Sequence, residues 1–171
     1  RTVLADFAAM QGQMKLFDTV LASPGRDYVV DLPARHTEGF FKAVNELEFF
    51  KELHTVGFRI IVFYVVDRNA ASLKAARAIQ KFPGIDLFVP VENQHVGTLW
   101  PKTEGDLVIP ALPQAISIAI SDKRFSLRAF VLGDTQQLPE DQQEILSNFL
   151  FEVLSNLSNL EPLVTLKNLK G

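Results

Sequence analysis

The segment Arg26-Asp-Tyr-Val-Val-Asp31-Leu-Pro33 reads as a short apolar strand that ends in an aspartate and breaks on a proline. An open parallel sheet presents the carboxyl ends of its strands to the ligand crevice. A carboxylate there can hold magnesium through water beside a nucleotide's phosphates. The same Asp31 serves equally well as a turn aspartate that caps the next helix. Asp6 closes the apolar run Thr2–Ala5 in the same manner, and Asp67 follows the run Arg59–Val66. Three acids brought to one rim must be solvated, paired or neutralised by a cation, because like charges in proximity are costly. Asp67 also reads as a cap for the helix after it.

Other polar residues carry weaker chemistry. His36, His54 and His95 lack metal-ligand spacing and read as solvated loop residues. Arg35, beside the Asp31 turn, can reach a phosphate or pair with Asp27 or Glu38. Asn93 follows an apolar run, where asparagine is a common turn residue. Trp100, between Leu99 and Pro101, reads as a loop anchor rather than a stacking platform. No serine stands in a G-x-S-x-G elbow, so an esterase-type triad has no support.

The elements that must position these residues alternate between apolar runs and helix-period segments, the pattern of βαβ units. Strands are predicted at Thr2–Ala5, Tyr28–Val30, Arg59–Val66, Asp86–Val91 and Leu107–Ile109, with continuous apolar character that implies burial on both faces. Phe40, Phe41, Val44, Leu47, Phe50 and Leu53 put one amphipathic helix over Thr37–His54, closed by Gly57. A second helix spans Ala71–Phe82, with Asn69 or Ser72 as its cap. Further helices are predicted at Pro113–Ile120, Phe125–Val131 and Pro139–Leu157, the last opened by a first-turn proline with Glu140 and Asp141 at its positive end. The tail from Asn156 to Gly171 reads as either a final strand or a docking arm. The expected fold is α/β, with three layers: a mostly parallel sheet flanked by helices. One domain over residues 1–171 is the default at this length.

Composition narrows the function classes. Hydrophobic residues make up 47% and charged residues 22% of the 171, an ordinary globular balance that argues against disorder. Fourteen phenylalanines, several in adjacent pairs, point to thick packing. A net charge of −3 supplies no global field for nucleic acid or an anionic membrane. With no cysteine, disulfides, thiolate nucleophiles and cysteine-ligated metals are excluded, and a reducing cytoplasmic setting is the expectation. The apolar run Ile60–Val66 is far too short to span a bilayer.

The order of the segments over roughly residues 1–120 resembles the ParA/MinD-type partitioning ATPases, a P-loop NTPase-like, Rossmannoid class. Arg1-Thr-Val-Leu-Ala-Asp6 resembles that family's strand ending in aspartate, and Tyr28-Val-Val-Asp31-Leu-Pro33 its Walker-B strand. Ile60–Asp67 with Ser72-Leu-Lys-Ala-Ala-Arg-Ala-Ile79 is similar to the strand and helix that follow. Leu87-Phe-Val-Pro-Val-Glu-Asn93 is similar to the strand whose asparagine reads the adenine edge, and Val108-Ile-Pro110 to the segment near the base. The resemblance implies ATP and magnesium as cofactors and a homodimer or a protein partner for the switch. It implies that Asp31 holds the metal, Asp6 orients the attacking water or senses the γ-phosphate, and Asn93 and Pro110 line the base.

The chain departs from that pattern. No G-x-x-x-x-G-K-[ST] loop occurs, no lysine follows a glycine, and the stretch from Asp6 to Tyr28 is short. Pro90 inside a predicted central strand gives up a ladder donor. Arg1 is not a start methionine, so a further strand, loop and helix of about 20–40 residues is expected upstream by ordinary element lengths. ATP hydrolysis by this mechanism needs that loop. The alternative is an α/β binding or scaffold module that oligomerises or recruits a partner without catalysis. A phosphoaspartate receiver domain ranks last, because Lys102 is its nearest candidate lysine and the Trp-Pro context there is poor.

Overall fold

In the computed structural model, which describes residues 6, 9–102, 106–134 and 138–160, the helical and strand periodicities resolve into seven α-helices and three strands. In chain order these are α1 (Met10–Leu21), a 3-10 turn (Ala34–His36), α2 (Thr37–Glu46), α3 (Phe49–Thr55), β1 (Ile61–Val65), α4 (Ala70–Gln80), β2 (Leu87–Asn93), β3 (Leu107–Ile109), α5 (Gln114–Ser121), α6 (Leu127–Val131) and α7 (Glu140–Ser158). The strands form a small parallel sheet in the order β1-β2-β3, an α/β arrangement. The chain divides into two compact units, Arg1–Val62 with Ile79–Phe88, and Phe63–Ala78 with Val89–Gly171.

In the first unit the phenylalanines dictate the packing. One helix over Thr37–His54 would place Phe49, nine residues after Phe40, about 180° around the axis at 3.6 residues per turn. The chain instead breaks at Leu47 and Glu48, where Glu48 takes a left-handed conformation (φ 50°, ψ 30°). That break re-aims Phe49, Phe50 and Leu53 so that they are buried along with Phe40, Phe41 and Val44. Phe17 of α1 stacks on Phe49 at 3.8 Å, and Phe41 and Phe50 meet Phe82 edge-on at 4.9 and 5.9 Å. Gly57 follows α3 as predicted, and the Phe58 N–H returns to the Leu53 carbonyl at 3.0 Å.

Two elements differ from expectation here. Helix α1 has no sequence signature at its start: its N-cap is Ala9, with no side-chain cap and no acid in the first turn. Its inner face includes Gln13 beside Phe17 and Val20, which blurs the apolar period. The predicted strand Tyr28–Val30 is not a strand. The segment is irregular, pairs with nothing in the described sheet, and leaves Val29 97% exposed. What holds it is Tyr28, whose ring packs edge-on against Phe58 at 5.9 Å and whose hydroxyl donates to the Ser23 carbonyl at 3.2 Å. The predicted strand Thr2–Ala5 lies outside the described residues.

In the second unit β2 and β3 run parallel, with Val91 opposite Leu107, Glu92 opposite Val108 and Asn93 opposite Ile109. Pro90 is tolerated in this middle strand for a geometric reason. The Val91 carbonyl accepts from the Val66 N–H at 3.1 Å, so residue 91 turns its backbone to β1 and Pro90 turns its own toward β3. Pro90 precedes the β3 register by one residue, so its missing N–H falls before that ladder begins. Helix α7 packs along β3, with the Asn156 side-chain amide donating to the Val108 carbonyl at 3.0 Å. Ile116, Phe130, Leu138 and Leu146 close a separate cluster among α5, α6 and α7. Pro139 stands at the N-cap of α7, one residue before the first turn that was expected to hold it. The predicted tail is described only as far as Leu160, and Asn156–Ser158 are helical.

Candidate functional site

The acids and turn residues singled out in the sequence occupy different settings. Asp6 is exposed and precedes α1, and its carbonyl accepts from the Ala9 N–H at 3.3 Å. Asp31 is exposed in the irregular segment before the 3-10 turn and closes no strand. Asp67 does follow β1, but its carboxylate accepts the Asn69 N–H at 2.7 Å, and Asn69 in turn accepts the Ala71 N–H at 2.8 Å. Asp67 and Asn69 thus form the turn and cap that start α4, the structural role foreseen for each.

Asn93 and Pro110 are brought together. They flank the paired ends of β2 and β3, where the Gln94 N–H donates to the Ile109 carbonyl at 3.0 Å. The Asn93 side-chain oxygen is already engaged with the His95 N–H at 3.0 Å, and its carbonyl accepts from Val96 and Gly97. Asn93 is a turn-former whose side-chain NH₂ remains a donor. His95 is exposed, and Arg35 donates through Nε to His36 Nε2 at 3.0 Å. Among the described residues no three His, Asp or Glu side chains group closely enough to hold a metal ion.

The most developed polar geometry belongs to a histidine that sequence reasoning assigned to a loop. His54 lies in the last turn of α3, where a cation is favoured by the helix dipole. Its Nε2 is 3.0 Å from Asp86 Oδ2. The same oxygen accepts the Ile60 N–H at 2.7 Å, while the Ile60 carbonyl accepts the N–H groups of Asp86 and Leu87 at 2.9 and 3.2 Å. Asp86 therefore joins the end of α3 to the start of β1. Burial pushes its carboxyl up, but the Ile60 N–H, the His54 ring and the Arg59 charge outweigh that and leave it below the usual carboxylate value.

Beside His54 opens a groove of about 240 Å³, walled by Phe50, Phe82 and Pro83, with Glu48 and Lys51 on its rim. Lys51 donates to Glu48 at 2.9 Å, and that bond and charge raise its ammonium's pKa. Gly84 completes the wall with φ +82°, and a Cβ there would stand 2.9 Å from the Phe50 Cβ. No local motif announces His54 and Asp86, which lie 32 residues apart. The one hint in the sequence is Pro83-Gly84, two residues before an aspartate that stands just ahead of an apolar run.

No protein-family model, curated protein or solved structure matches this chain.

Proposed function

We propose that this chain is an α/β binding module that assembles with a second copy of itself through its C-terminal helices. The observation that carries this reading is the apolar surface of α6 and α7. Leu146, Phe149 and Leu150 face the cluster, whereas Phe151 and Leu154, three residues apart on the same helix, are 74% and 57% exposed. The end of α6 adds Val131, and Leu132, at 76% exposure, follows it. Exposed apolar groups of this size mark interaction surfaces when they gather on one region. A net charge of −3 opposes self-association only weakly. Sedimentation equilibrium of the protein should show a dimer that Phe151→Glu converts to monomer. A wild type that stays monomeric at every concentration would end this reading.

A second reading is the ATP-binding switch of the ParA/MinD kind, on a P-loop-like Rossmannoid sheet. It draws its support from Asn93 and Pro110 standing side by side at the carboxyl ends of two parallel strands, where open α/β sheets bind ligands. In it Asp31 holds magnesium through water and Asp6 orients the attacking water. Titration of the full-length protein with magnesium and ATP tests it. An affinity that requires magnesium and falls on Asn93→Ala sustains the reading, and no magnesium-dependent affinity discards it.

A further inference from the structure

The groove beside His54 belongs to neither of these readings. Its volume of about 240 Å³ lies below the roughly 300–1,000 Å³ of sites that take drug-sized molecules, which sets its scale at one ring. Its walls are flat and apolar. The Phe50 and Phe82 rings meet nearly perpendicular, at 81°, and Pro83 and the bare backbone of Gly84 continue the surface. The polar side chains of its lining are Asn45, Glu48, Lys51 and His54, of which Lys51 is engaged with Glu48 and His54 with Asp86 behind it.

The Asp86 carboxylate accepts at Oδ2 from the Ile60 N–H, and it can only accept from His54 as well. The proton of the neutral His54 ring therefore sits on Nε2, and Nδ1 is left with a lone pair. We propose that the groove binds a small planar aromatic ligand carrying one O–H or N–H donor, its ring against Phe82 and Pro83 and its donor on His54 Nδ1. A phenol is the simplest such molecule, and its methyl ether keeps the ring while lacking the donor.

The test compares 4-methylphenol with 4-methylanisole, read by shifts of the His54 and Gly84 amide resonances. The phenol should bind about fivefold more tightly, the worth of one added neutral hydrogen bond. His54→Gln places an amide NH₂ where Nε2 donates to Asp86 and removes Nδ1. It should keep the melting temperature while erasing the difference between the two ligands. Asn45→Trp, an exposed rim position, should block both ligands by filling the groove, and it serves if His54→Gln does not fold. Equal affinities of wild type for phenol and ether, a His54→Gln protein that keeps the preference, or unmoved Gly84 resonances would each overturn the proposal.

Discussion

The two units bury apolar surface by different means. Around Phe17, Phe41 and Phe50 the first unit packs ring against ring, with centroids 3.8 to 6.4 Å apart, and a polar latch at Asp86 fastens the helix to the strand. Around Ile116 and Leu146 the helices of the second unit pack mainly branched aliphatic side chains, with Phe130 the single aromatic fully buried there. Rings pack by edge and face at preferred angles, and the perpendicular pair Phe50 and Phe82 leaves an open groove beside it. Aliphatic side chains interdigitate more freely, so the second unit closes its interior with only part of its apolar residues and leaves Phe151 and Leu132 outside. One unit thus carries an apolar groove, and the other exposes apolar side chains on α7 and at the end of α6.

The largest expected effects come from removing the centre of each core. Phe17→Ala, which loses a 3% exposed ring stacked on Phe49, should lower stability by roughly 3–5 kcal/mol in urea unfolding followed by circular dichroism. Leu146→Ala, at 0% exposure, should cost about 2–5 kcal/mol in the same measurement. If the phenylalanine proves the milder of the two, the ring stack is not the centre of the first unit.

Gly84 sharpens the contrast on the groove side. Gly84→Ala combines a positive φ with a 2.9 Å approach of its new Cβ to the Phe50 Cβ and should cost about 2–3 kcal/mol. Gly25→Ala has a similar φ of +85° with nothing within 4 Å, so only the backbone strain of about 1–2 kcal/mol should remain. Equal melting temperatures for the two variants would mean that Phe50 yields and the groove wall is soft.

Asp86→Asn is expected to cost about 1–2 kcal/mol at neutral pH through the weakened bonds to Ile60 and His54. Its pH dependence follows from the lowered carboxyl. In the folded protein Asp86 stays ionised to a lower pH than in the unfolded chain, so its contribution is complete above about pH 4 and is lost as pH falls through the folded value. The gap between wild type and Asp86→Asn should therefore be flat from neutral pH to about pH 5 and close below about pH 4. A gap that persists in acid would show that the carboxylate charge contributes nothing. The smallest effect belongs to the second unit. Arg124 holds the Asp122 carboxyl down at about 2 through hydrogen bonds, yet the pair is exposed, and Asp122→Asn should leave the melting temperature unchanged.

Much of the secondary structure was legible. Leu107–Ile109 coincides with β3, and the strands at Ile61–Val65 and Leu87–Asn93 fall within two residues of expectation, because runs of Val, Ile and Phe bounded by turn residues have few other uses. The helices from Ala70 onward were legible from their period, and the first of them also from Asn69 as its cap, whereas the Ser126 cap of α6 was not foreseen. Local pattern did not reveal the break at Glu48, since it resolves a conflict between Phe40 and Phe49 that arises only when both must reach one core. The expected strand at Tyr28–Val30 failed for the complementary reason: an apolar triplet is a strand only if a neighbour pairs with it. Of the candidate site, the placement of Asn93 and Pro110 at the ends of β2 and β3 was legible, whereas the pairing of His54 with Asp86 was not, because it depends on α3 and β1 returning to the loop before β2.

The sequence by itself determined the α/β alternation, the absence of thiol chemistry and the positions of most helices and strands, all of which follow from side-chain type and spacing along the chain. Only the tertiary structure decided which aspartate ties together elements far apart in the chain. Asp31, suggestive in sequence, stands exposed outside the sheet, and Asp86, which nothing singled out, joins a helix to a strand and pairs with His54. The physical reason is that a carboxylate's role is fixed by the donors that surround it in space.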